Sequence, residues 1–155
     1  KKIDTDKKLV IAGGSSHSHE YMNQISSMSQ EDPRIVMTGF VQGEILEELY
    51  SNSYLFVLPS DVEGMAVSLL EAMSYGNCCL VSDIDENMEV VRDKACSFRK
   101  GNVDDLREKL EELLNSPEQV EEYRKGSTEY ICGRFSWDGV VDRTLQLYMR
   151  TQKGK

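Results

Sequence analysis

The chain alternates short apolar runs with longer stretches in which apolar residues recur every three or four positions. The first pattern suits a buried strand and the second an amphipathic helix. Lys8–Ala12 (K-L-V-I-A) predicts a short buried strand, with a turn at Gly13-Gly14-Ser15-Ser16. Tyr21, Met22, Ile25 and Met28 predict a helix from about Ser18 to Ser29. Arg34–Thr38 predicts a second strand, between Pro33 and Gly39. Ile45, Leu46, Leu49 and Tyr50 form the apolar face of a short helix, Glu44–Ser51. Tyr54–Leu58 reads as a third buried strand, stopped by Pro59, which cannot donate to a sheet ladder. A helix over about Met65–Tyr75 follows, then a strand over Cys78–Ser82. Asp85–Arg92 reads as a loop with a helical turn, and Ala95–Phe98 as an edge strand.

The remainder is helical. Leu106, Leu110, Leu113 and Leu114 fall at i, i+4, i+7 and i+8 and give the helix Val103–Leu114 a core stripe. Asn102 is placed to cap it. Ser116-Pro117-Glu118-Gln119 reads as a helix start, with a cap, Pro at N1 and a capping-box Gln at N3. Ser136 is placed to cap a last helix, about Trp137–Thr151, with Trp137, Val141, Leu145 and Tyr148 on one face. The order β-α-β-α-β-α-β predicts an α/β fold, a Rossmann-like doubly wound parallel sheet. No repeat, low-complexity segment or linker interrupts residues 1–155, so they read as a single domain ending in a frayed Lys153-Gly154-Lys155.

Candidate chemistry concentrates between Pro59 and Gly76, P-S-D-V-E-G-M-A-V-S-L-L-E-A-M-S-Y-G. A strand, a glycine-containing turn and a helix start make an anion site, because the first-turn N–H groups are free and the helix dipole favours negative charge there. Glu63 and Glu71 flank this point. On one helix they would lie about 12 Å apart along the axis, too far to share a proton or flank one glycosidic bond. That spacing suits two acceptors gripping the ends of a long ligand with a diphosphate between them. A nucleotide-sugar is such a molecule.

The stretch resembles the retaining nucleotide-sugar glycosyltransferases of group 1 (glycosyltransferase family 4), whose signature is P-S-x-x-E-G-F-G-x-x-x-x-E-A-M-A-x-G-x-P-V-V-x-S-D. The likeness continues through D-I-D-E-N-M-E-V-V and F-S-W-D-G-V-V-D-R-T-L-Q-L-Y, so it covers almost the whole chain. It implies the donor-binding C-terminal half of a GT-B fold. Glu63 would take the catalytic position, holding hydroxyls of the donor sugar without acting as nucleophile or acid. Gly64, Met65 and Ala66 would present backbone N–H groups to the diphosphate. Glu71 would accept from the ribose hydroxyls, and Gly13 and Gly14 would let backbone approach the donor closely. Ala66 stands where the family has its second glycine, and Asn77-Cys78-Cys79 replaces the usual x-P-V. The implied parent is a hexosyltransferase that moves a sugar from a nucleoside diphosphate, UDP before GDP, to a glycan or lipid acceptor. It needs no cofactor and no metal held by this domain, and polysaccharide biosynthesis is the expected setting. Two rivals are a non-catalytic scaffold module and a nucleotide-sugar epimerase of the same fold.

Charge sharpens this picture. A diphosphate between two glutamates needs positive charge beyond the half unit of a helix N-terminus. No Arg or Lys lies between Arg34 and Arg92. In the family that charge comes from a first β-α unit, which would precede Lys1, as would the acceptor-binding N-terminal domain. The expectation is therefore a partial donor domain whose sheet lacks its central first strand. Transfer by the chain alone would be weak or absent, and any peripheral membrane association would come through the other domain. A net charge of −9 argues against nucleic acid and anionic membrane surfaces. The N-terminus lacks a signal-peptide pattern and no run approaches a membrane span, which fits a cytoplasmic protein.

The other candidates have plainer readings. Cys78, Cys79, Cys96 and Cys132 read as buried free thiols in a reducing cytosol. His17 and His19 lack the i, i+4 spacing of helical zinc ligands and read as loop residues beside Gly13-Gly14. Asp83, Asp85, Glu86 and Glu89 read as a solvated turn and helix start.

Overall fold

The computed structural model describes residues 3–14 and 19–152. Ser15, Ser16, His17, Ser18, the side chain of His19 and the 153–155 end lie outside the described residues. The chain divides into two compact units, residues 1–52 and 53–155.

In the first unit, β1 (Leu9–Ala12) pairs in parallel with β2 (Ile35–Gly39). Helix α1 (His19–Gln30) connects them and packs on β2, and α2 (Glu44–Ser51) follows. The strand over 8–12 forms where expected, but not as a buried strand: Leu9 and Val10 are 51% and 41% exposed. Among the described residues β2 is its only strand neighbour. Asp32 anchors this unit. Arg34 donates to both its carboxylate oxygens, from Nε (3.0 Å) and Nη2 (2.8 Å), and again from its backbone N (3.0 Å). The Nη1 of Arg34 donates to the carbonyls of Ile3 and Thr5, tying down the start of the chain.

These hydrogen bonds from Arg34 hold the Asp32 carboxyl well below the usual carboxylate range. A lowered folded-state pKa stabilises the fold above the unfolded-state value, about 4, and the effect fades as pH falls below it. We expect the thermal midpoint of the wild-type chain to fall more steeply between about pH 5 and pH 3 than that of Asp32→Asn. Parallel pH profiles for the two would contradict this.

In the second unit, β3 (Phe56–Leu58), β4 (Cys79–Ser82) and β5 (Cys96–Phe98) form a parallel sheet in the order β3-β4-β5. Helices α3 (Val67–Ser74) and α4 (Asp85–Val91) connect them, and four helices follow. These are α5 (Val103–Asn115), α6 (Pro117–Arg124), α7 (Ser127–Arg134) and α8 (Trp137–Gln152). Every residue of β4 is buried, as befits the middle strand of a parallel sheet. Cys78, Leu80, Cys96 and Phe98 pack on one face with Leu113 of α5 and Val120 of α6. Alternation sends Cys79 and Val81 to the other face, where both are fully buried. Cys78, Cys79, Cys96 and Cys132 are all free, and only Cys132 is exposed.

Several local expectations hold and several change. Asn102 caps α5, accepting from the Asp105 N–H at 3.0 Å, and Ser136 Oγ caps α8, accepting from Gly139 N–H at 3.1 Å. The capping box at Ser116 does not form: Ser116 makes no side-chain cap. Gln119 instead donates from Nε2 to Glu112 Oε1 at 3.1 Å, drawn to a carboxylate. Residues 85–91 form a full helix where a loop with a single turn was expected. Helix α7 was not legible, because only Ser127 and Ile131 are buried along it and no apolar stripe marks it.

Candidate functional site

The predicted strand–turn–helix is present. β3 ends at Leu58, residues 59–66 turn, and α3 begins at Val67. Its N-cap, Ala66, offers no side-chain cap. Leu69 and Leu70 N–H both donate to the Ala66 carbonyl. The amides of Gly64, Met65 and Ala66 donate to no acceptor among the described residues. The turn that leads into α3 therefore carries these amides just ahead of the helix, and no acidic side chain lies in the first turn of α3. That is the electrostatic condition for holding an anion.

Each site residue has a definite place. Gly64 and Met65 are exposed on the turn and Ala66 is buried behind them. A Cβ on Gly64 would meet nothing within 4 Å, so the chain's own packing does not demand glycine there. Ala66 has φ −73, which alanine adopts without strain, so the departure from glycine costs the backbone nothing. Glu71 is exposed on α3. Glu63 is half-buried and lies outside the helix, in the turn. The two glutamates thus flank the helix start without sharing one helix.

Gly13 and Gly14 belong to the other unit, at the end of β1. Gly13 has φ +128, a conformation that favours glycine, and its N–H donates to the Gly39 carbonyl at 2.8 Å.

Other elements brace the turn. Ser60 Oγ donates to Glu63 Oε1 at 2.6 Å, and Ser82 Oγ donates to the Ser60 carbonyl at 2.5 Å. Asn87 Nδ2 in turn reaches the Ser82 carbonyl (3.2 Å) and Ser82 Oγ (3.1 Å). The far end of α3 is closed by α7: Ser127 Oγ donates to the Met73 carbonyl and Thr128 Oγ1 to that of Ser74, both at 3.2 Å. Thr128 thus serves a carbonyl at the helix end, and Ser127 is a second donor to the Met73 carbonyl, which also accepts from Gly76 N–H. Reading the sequence passed over Ser60, Ser82, Asn87 and Ser127. The only signal was the serine of the Pro59-Ser60 pair.

Burial pushes the Cys78 thiol up to about 12 and Cys79 further still, so neither is a thiolate nucleophile at neutral pH. Among the described residues, no group of three His, Cys, Asp or Glu side chains is placed to hold a metal ion. No helix among them is long and apolar enough to cross a membrane.

The family of glycosyl transferases group 1 matches residues 1–130. The chain belongs to this family. A glycosyltransferase of Methanocaldococcus jannaschii is 27% identical over 143 residues, which is 91% of this chain and 36% of the relative. A sucrose-phosphate synthase of Thermosynechococcus elongatus superposes with a TM-score of 0.84 at 21% identity, over 96% of this chain and 39% of that one. The Anabaena protein HepE, solved in complex with UDP-glucose, gives 0.79 at 15% identity, over 94% of this chain and 41% of that one. The group 1 domain is therefore α/β and Rossmann-like, with the GT-B glycosyltransferases as its structural neighbours. It spans about two fifths of the length of these relatives.

Proposed function

We propose that this chain binds the donor for a retaining glycosyltransferase, holding a nucleoside-diphosphate sugar at the turn between β3 and α3. The observation that carries this is the run of unpartnered amides at Gly64, Met65 and Ala66, flanked by Glu63 and Glu71. The amides would face the diphosphate. Glu63 would hold the sugar hydroxyls and Glu71 the ribose. Gly13 and Gly14, at the end of β1, would let backbone approach a donor closely. Catalysis in this reading is positioning and stabilisation of the leaving diphosphate, with no metal or cofactor from this domain. The acceptor, a glycan or lipid intermediate, would meet a part of the protein outside this chain, and transfer would need that part.

UDP is the first candidate for the base, supported by the UDP-glucose complex of the HepE neighbour, and GDP is the second. The setting would be cytoplasmic, where nucleotide-sugars are the donors. A scaffold role is favoured by one observation alone, the lack of any Arg or Lys between Arg34 and Arg92.

Titration calorimetry with UDP, GDP and ADP at millimolar concentration tests the reading. One nucleotide should bind saturably, and Glu71→Ala should weaken it on the order of tenfold or more, as expected for lost hydrogen bonds to a charged acceptor. Equal binding by wild type and Glu71→Ala would remove Glu71 from the site. No binding of any nucleotide would favour the scaffold.

A further inference from the structure

A line of hydrogen bonds runs beneath the turn and ends on Glu63. It starts at Asn87 on α4, which is 1% exposed, passes through Ser82 at the end of β4, and crosses to Ser60 just beyond β3. Each donor is fixed by chemistry. A carboxylate only accepts, so Ser60 Oγ must give its proton to Glu63 Oε1. A carbonyl only accepts, so Ser82 Oγ gives its proton to the Ser60 carbonyl. The Ser82 oxygen is then left to accept from Asn87 Nδ2. Reversing the Asn87 amide would set its oxygen against the Ser82 carbonyl and break both bonds. The line has one direction, and it delivers a donor to the carboxylate.

Packing gives no reason for these residue types. Ser82, at the carboxyl end of β4, and Asn87, on α4 and bonded to it, are buried polar side chains. Asn87 Oδ1 is buried with no partner among the described residues, so the amide is not there to satisfy its own needs. Ligands of open α/β sheets bind at the carboxyl ends of the strands.

We propose that Asn87, Ser82 and Ser60 are positioning residues that fix one oxygen of Glu63 and aim the other at the sugar end of the donor. This rests on the donor-site reading above. It makes Ser60 a determinant of how well the sugar is held, distinct from how well the nucleotide is held.

The test compares UDP with UDP-glucose on the whole chain by titration calorimetry. Wild type should bind UDP-glucose more tightly than UDP, and Glu63→Ala should erase that difference. Ser60→Ala should weaken UDP-glucose on the order of tenfold, without a matching loss for UDP. Ser60→Thr, which keeps the hydroxyl, should restore the affinity, and Ser60→Ala should add nothing in the Glu63→Ala background. Thermal melts of each variant check that the fold is retained. If Glu63→Ala erases the sugar preference and Ser60→Ala does not, the positioning role is overturned and the donor site stands. Failure of threonine to rescue would also overturn it. If wild type shows no preference for UDP-glucose, the donor-site reading fails and takes this proposal with it.

Discussion

Replacing Leu80 with alanine is expected to lower the stability of the 53–155 unit by about 2–5 kcal/mol. Leu80 is 0% exposed on the middle strand of the three-stranded sheet. It packs with Cys78, Cys96, Phe98, Leu113 and Val120, which come from the approach to its own strand, the neighbouring strand β5 and two helices. A side chain held from so many directions cannot be replaced by collapse, because no single element can shift into the space without leaving its other partners. The measurement is urea unfolding followed by far-ultraviolet circular dichroism. Trp137→Ala, at a residue 84% exposed, serves as the contrast and should change stability by no more than about 0.5 kcal/mol. A Leu80→Ala loss no greater than that of Trp137→Ala would mean this core is not where stability lies.

Val67→Asp is expected to move stability and ligand binding in opposite directions. Val67 is the first residue of α3 and is 59% exposed, so the new carboxylate disturbs no packing. It complements the helix dipole, an effect worth about 0.3–1 kcal/mol in favour of the fold. It also sets a negative charge where the diphosphate would sit. At roughly 6 Å and an effective dielectric near 20, one such repulsion is about 3 kcal/mol, on the order of a hundredfold in affinity. Nucleotide titration and thermal unfolding on the same sample read both effects, and added salt should recover part of the binding. A variant with improved stability and unchanged nucleotide affinity would place the phosphates elsewhere, whatever their source.

The strand–turn–helix that frames the candidate site was legible in sequence for local reasons. Pro59 ends a strand, Gly64 opens a turn, and Val67 onwards has an apolar helical spacing. These are neighbours in the chain, so the strand–turn–helix follows from local chemistry alone. The brace under Glu63 was not legible. Ser60, Ser82 and Asn87 come from the far ends of β3 and β4 and from α4, and the span from residue 60 to 87 is closed only when the strands pair. The clasp of α7 on α3, from Ser127 to Met73, is hidden for the same reason. Ser116 shows the limit in the other direction: the capping-box pattern is intact, yet Gln119 turns to Glu112, a residue on the preceding helix.

Sequence by itself determined the alternation of strands and helices, the parallel pairing, the caps at Asn102 and Ser136, and membership of the group 1 family. The first three rest on residue type and spacing along the chain, and the last on resemblance to a known family signature. Tertiary structure decided what is covered. Periodicity places Trp137, Val141, Leu145 and Tyr148 on one helix face, and K-L-V-I-A in a strand, but both stand exposed. It also gives Leu113 no stronger signal than Leu110, although only Leu113 is fully buried. A period states which side chains share a face, and burial depends on whether another element comes to lie against it.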